Sequence, residues 1–313
     1  MISKKFLRII KWVWIIAVIL AGSYYLITNW EKMVEIFAMV PKLNLLYSAL
    51  FIIFGKFCLF LLAKYSVDRE GFHLPYQQVF FIVATTQLGK YIPGGVWHFV
   101  GRYNAYQNEE ISLTKSTKAM ISENLWLLSG ALMVGASFGI YSKLGKDFLA
   151  GNGLSVPFPV LYNMFIFLLW VLLLIGYEAI LQRKFPSIKT LKLLKLILNQ
   201  TLTWAFLGIS FLFIFPENSL SLLPDAVFGF AISWAIGYIA IFAPGGIGIR
   251  EGALVWIFSS LFAPEDMLIF STVHRFLYVA VEFLMGFLSL LLQPLLIVKN
   301  TRAINPEKDK KIS

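Results

Sequence analysis

The tripeptide Pro-Gly-Gly occurs twice in this chain, at Pro93-Gly94-Gly95 and Pro244-Gly245-Gly246. Each copy closes a long apolar segment and is followed within nine residues by an arginine, Arg102 or Arg250. Proline lacks the helical N–H and glycine admits sharp turns, so each triplet breaks a helix. In a hydrocarbon environment the freed backbone groups need partners that lipid cannot supply. Two such breaks in corresponding positions of two halves predict a binding site built from discontinuous helices.

Composition places the breaks in a membrane. The 313 residues are 58% hydrophobic and only 14% charged, and several stretches reach the roughly 20 apolar residues that cross a bilayer. A soluble domain of this length is excluded. The expected fold is all-α and multi-pass. The stretch Ile9–Ile27 follows Lys4, Lys5, Arg8 and Lys11 but is too long for a signal-peptide core, so it is read as a retained span. The single cysteine, Cys58, excludes a disulfide framework and a cysteine-based metal cluster. No His/Asp/Glu spacing suggests a metal and no G-x-x-x-x-G-K-[ST] run suggests a nucleotide, so neither metal nor cofactor is expected. The net charge of +10 sits in connecting segments, where membrane orientation and anionic lipid account for it and a nucleic-acid partner is not required.

Eight long apolar segments run at about 9–28, 43–63, 74–92, 119–141, 158–181, 191–215, 226–243 and 267–297. Eight simple spans would leave 13 basic residues inside and 11 outside, almost no positive-inside bias. If each triplet is instead the tip of a re-entrant hairpin, 74–105 from the inner side and 226–262 from the outer side, the split becomes 19 to 4. The run Arg183, Lys184, Lys189, Lys192 and Lys195, with no acid among them, drives that difference. The expected architecture is therefore about six full spans plus two hairpins in one membrane domain, 1–298, with a basic tail, 299–313, and both termini cytoplasmic. Units 43–141 and 191–297 become inverted repeats, with the spans 9–28 and 158–181 outside them. The internal similarity rests on Gly89-Lys90-Tyr91 against Gly237-Tyr238, on the two triplets, and on Glu123 and Arg275, each about thirty residues beyond its triplet.

Four basic residues are then left at membrane depth: Lys56, Lys90, Arg250 and Arg275. With them go Glu123, Glu251, Glu282, His98 and His274. An ionisable group at depth costs about 2.5–3.5 kcal/mol on insertion scales, so it is seldom placed there without a partner or a task. The surplus of bases points to an anionic ligand. A helix starting after Pro244-Gly245-Gly246-Ile247-Gly248 would present free amides at its positive end to a phosphate, with Arg250 forking onto the oxygens. Trp97, His98 and Arg102 occupy the equivalent stretch of the first copy. The candidate headgroup-binding set is Pro93, Gly94, Gly95, Trp97, Arg102, Pro244, Gly245, Gly246, Gly248, Arg250 and Arg275; Lys90, Glu123, Glu251 and Glu282 are candidates for proton coupling or ion pairing. A structural reading pairs Arg250 with Glu251 and Arg275 with Glu282. Lys56 reads as snorkelling to an interface, and the two histidines as packing or hydrogen-bonding residues.

The stretches Gly89–Trp97 with Gly101-Arg102, and Ala243–Gly252, resemble the two signature regions of the lysylphosphatidylglycerol synthase transmembrane-region family, also called the flippase-like domain family. The similarity extends over nearly the whole chain and is more specific in the second stretch. It implies a translocator of the cytoplasmic membrane acting on a phospholipid or lipid-linked sugar. In bifunctional members the membrane part is thought to move an aminoacylated phospholipid made by an attached aminoacyl-transferase domain. Here about twenty mostly polar residues follow Pro294, so that domain and its synthase activity are not expected. A transporter rather than an enzyme is the leading expectation, with a membrane lipid as substrate and envelope lipid or glycan biosynthesis enzymes as candidate partners. The alternatives are a membrane enzyme acting on a lipid phosphate or glycosyl-phosphate, for which no nucleophile–base pair stands out, and an accessory subunit of envelope synthesis.

Overall fold

The structure, a computed structural model, describes residues 40–91, 96–182, 190–217, 219–240 and 243–304, together with Glu31, Val34 and Ala38. The span expected at 9–28, the triplet Pro93-Gly94-Gly95, the basic residues Arg183, Lys184 and Lys189, and the tail beyond 304 lie outside the described residues.

The described residues form helices and no strand. In chain order these are α1 (Lys42–Arg69), α2 (Tyr76–Gln87), α3 (Trp97–Asn108), α4 (Leu113–Gly139), α5 (Lys143–Gly151), α6 (Pro159–Gln182), α7 (Thr190–Leu212), α8 (Leu223–Ile239), α9 (Ile249–Ile257) and α10 (Pro264–Ile304). Short 3₁₀ turns at Leu88–Tyr91 and Pro244–Gly246 interrupt α2–α3 and α8–α9. Six helices are long and apolar enough to cross a membrane: Lys42–Arg69, Leu113–Gly139, Pro159–Tyr177, Leu193–Leu212, Leu220–Ile239 and Pro264–Leu291. One of the six was expected only as a hairpin arm. Pro224, in the first turn of α8, starts that helix early, and with the preceding 3₁₀ turn it reaches span length.

Each half runs long helix, broken pair, long helix: α1, α2–α3, α4, and then α7, α8–α9, α10. The halves pack reciprocally. α1 lies along α7, the first arm of one half (α8) packs on the last helix of the other (α4), and α2 packs on α10 in return. This exchange is what a pseudo-twofold between the halves requires. α6 stands at the rim, with Phe165, Leu168 and Leu172 turned outward.

The two broken pairs enter the helical body from opposite ends. Val67 at the end of α1 packs with Tyr106 in the last turn of α3, with Ile111 beyond it and with Ala119 near the start of α4, and Lys115 lies 4.6 Å over the Phe72 ring. The chain therefore enters and leaves the first pair at one end. At the other end Phe215, just after α7, packs on Phe258 and Phe262, just after α9, with centroids 5.7 and 4.8 Å apart. The far end of α4 lies here too: α5, which follows it, sets Phe148 against Trp256 of α9 and receives Asp225 on the Leu144 N–H at 2.8 Å.

Candidate functional site

Glycine chemistry shapes both breaks. Gly245, Gly246 and Gly248 adopt φ of 60°, 71° and 82°, a left-handed conformation that side-chain-bearing residues rarely hold. A Cβ on Gly89 would lie 2.8 Å from the His98 backbone nitrogen, and one on Gly237 would lie 3.1 Å from Arg250 Cβ. The two glycines matched in sequence thus do the same work, letting the first arm pass close to the second.

The breaks meet at one cavity of about 430 Å³. The two 3₁₀ turns touch there, and Lys56, Lys90, Arg102, Arg250 and Arg275 all line the cavity with Glu123. Of the expected residues, Gly245 and Gly246 line it as well, whereas Trp97 is half exposed and does not, because its position at the start of α3 turns it outward. Gly248 and Glu251 stand just outside, and Pro244 lies in the turn itself.

The ionic pairing differs from the structural reading of the sequence. Arg275 reaches Glu251 at 3.9 Å and donates to the Gly245 carbonyl, so it joins α10 to the second break. Glu282 accepts from Lys56, Lys90 and Tyr91, joining α10 to α1 and to the first break. The i, i+7 pair Arg275–Glu282 does not form, because each side chain finds a partner from another element closer at hand. Lys56 does not snorkel: its side chain is 10% exposed and held by Glu282. Arg102 donates to both oxygens of Glu123 at 2.6 Å. The amide at the start of α9 is also not left free for a ligand, since Gly248 N–H donates to Glu251 Oε2 at 2.7 Å.

Arg250 differs from the rest. It is 5% exposed, and among the described residues no carboxylate pairs with it; its guanidinium lies 4.2 Å from the Phe230 centroid and 5.7 Å from that of Tyr278. Aromatic faces hold a cation in place without neutralising it. His98 lines the cavity, while His274 is buried against Ser210 at 2.9 Å in a packing role.

Sequence reasoning missed Tyr278 and the wall of Trp204, Trp234 and Tyr238. Trp234 and Tyr238 stack at 4.8 Å with an interplanar angle of 14°, and Tyr238 donates to Asn124 at 2.6 Å. In a chain with 29 Phe and 9 Trp no aromatic stands out, so composition hid them. Tyr278 carried a usable signal, since it sits between Arg275 and Glu282 on one helix face, and Tyr238 stood out only as part of the repeat match with Gly237. No group of His, Cys, Asp and Glu among the described residues could hold a metal. No protein-family model matches the chain, and no curated protein matches it.

Proposed function

We propose that this protein is a lipid translocator of the cytoplasmic membrane that binds an anionic headgroup in the cavity between its two broken helix pairs, and that it is a relative of the lysylphosphatidylglycerol synthase transmembrane-region family. The observation that carries the reading is Arg250: a buried guanidinium facing a cavity with no carboxylate partner among the described residues. A buried charge left uncompensated is costly, and an anionic ligand would offset that cost.

In this reading the breaks are re-entrant hairpins of opposite orientation. Three of the four arms are short: α2 and α3 have 12 residues each and α9 has nine, which at 1.5 Å per residue give about 18 and 13 Å against the roughly 30 Å hydrocarbon core, while α8 with its preceding 3₁₀ turn is long enough to cross. The entry of the two pairs from opposite ends of the helical body supports inversion, as does the 19-to-4 distribution of basic residues. Rocking one repeat against the other would open the cavity alternately to either face while the acyl or prenyl tail stays in lipid. The test is transbilayer exchange of headgroup-labelled anionic lipid in proteoliposomes. Wild-type protein should accelerate exchange and Arg250→Gln should abolish the acceleration; unchanged exchange in the variant would sink the reading.

A further inference from the structure

Resting on the anion-site reading above, we propose that Lys90 is a second direct contact to the anion, and that it reaches the ligand by leaving Glu282 to Lys56. One carboxylate oxygen serves two ammonium groups: Glu282 Oε1 accepts from both Lys56 and Lys90, while Oε2 accepts from the Tyr91 hydroxyl. A buried carboxylate stripped of its only cation is an uncompensated charge, which is strongly destabilising. Glu282 does not run that risk. When Lys90 turns away, Lys56 and Tyr91 still hold the two oxygens, so the exchange orphans no acid. Arg102 and Arg275 lack this freedom, because Glu123 and Glu251 each pair with a single cation among the described residues.

The surroundings decide which lysine moves. Beside the main cavity, α1, α2, α4 and α10 enclose a second one of about 50 Å³. Of the two, Glu282 lines the smaller, Lys56 lines both, and Lys90 lines the larger. The acid thus stands behind the site, Lys56 at the junction and Lys90 in front. Side-chain exposure follows the same order, 4% for Glu282, 10% for Lys56 and 20% for Lys90. So does the backbone: Lys56 sits inside α1, whereas Lys90 belongs to the 3₁₀ turn Leu88–Tyr91, which leads into the first break and touches the turn Pro244–Gly246. Lys90 Nζ lies 5.3 Å from the Tyr278 centroid and Arg250 Cζ lies 5.7 Å from it, so the two cations border one ring. An anion held by both takes one contact from each repeat, and its binding couples the first break to the second.

The experiment measures the dissociation constant of orthophosphate for the full chain in nanodiscs, with Lys90→Gln introduced into the wild type and into the charge-balanced background Lys56→Gln, Glu282→Gln. A direct contact predicts a loss of about tenfold to a hundredfold in both, the worth of one hydrogen bond to a charged group. A lysine that serves only as a partner to Glu282 would matter in the wild type and not in the background, where that acid is gone; this result would overturn the assignment. Unchanged affinity of Lys90→Gln in the wild type would overturn it too, and if Arg250→Gln still abolishes binding, the anion site stands without Lys90. A wild type that binds no orthophosphate would overturn both readings. Melting curves check that each variant folds, and Lys56→Met with Glu282→Met, which replaces the pair by apolar side chains, is the substitute background. Phosphatidic acid added to the disc separates the sources of the same chemistry: competition with orthophosphate marks a lipid headgroup, and its absence marks a free anion.

Discussion

Arg102 on α3 grips both carboxylate oxygens of Glu123 on α4, and in the second half the return arm meets the last helix with the opposite signs, Glu251 on α9 facing Arg275 on α10. Each half thus ties the return arm of its broken pair to its own last helix by a charge pair of reversed polarity. The second pair also frees Arg250, because Glu251 is occupied by Arg275 and by the Gly248 amide.

Removing one member of the Arg102–Glu123 pair should cost far more than removing both. Arg102→Leu alone leaves a buried carboxylate and is expected to destabilise by about 3–5 kcal/mol, whereas Arg102→Leu with Glu123→Leu should recover most of the loss. Thermal melts of the purified single and double variants check this; additive losses would show that the two residues act independently.

Glycine substitutions should separate backbone demand from mere helix content. Gly245→Ala and Gly248→Ala force side chains into left-handed backbone at φ of 60° and 82° and should each cost about 1–2 kcal/mol. Gly252, inside α9 with nothing within 4 Å of an added Cβ, should instead tolerate alanine or gain about 0.5–1 kcal/mol. Chemical denaturation in mild detergent reads the difference.

Phe230 should matter to the anion through Arg250. Phe230→Leu keeps the site apolar but removes the ring 4.2 Å from the guanidinium, and ligand affinity is expected to fall by about 0.5–2 kcal/mol, up to some thirtyfold. Titration with orthophosphate tests it, with Phe230→Tyr expected to keep affinity near wild type.

Opposed hairpins predict opposite accessibility. In a Cys58→Ala background, single cysteines at Ser187 and Glu265 should react with an impermeant maleimide from opposite sides of sealed vesicles. Eight simple spans would put both on one side, and same-side labelling would overturn the inverted arrangement.

Much of the site was legible because its chemistry is expensive. Pro-Gly-Gly and ionisable groups at membrane depth are costly unless used, so Gly245, Gly246, Arg102, Arg250, Arg275, Lys90 and Glu123 stood out, and all line the one cavity. Partnership was not legible. Glu282 lies seven residues beyond Arg275, which made that pair attractive on paper, but its actual partners come from residues 56, 90 and 91. Such contacts are set by how helices pack, and helix periodicity reports only which residues share a face.

The sequence by itself determined a helical chain with span-length apolar segments and two glycine-bearing breaks, because hydrophobicity, proline and glycine act locally and do not depend on neighbours in space. Only the tertiary structure decided that the breaks share a cavity, and that Arg250 lines it with no carboxylate pairing with it among the described residues. Those outcomes depend on which side chain lies nearest another across 30 to 230 residues of chain, a distance that no local rule measures.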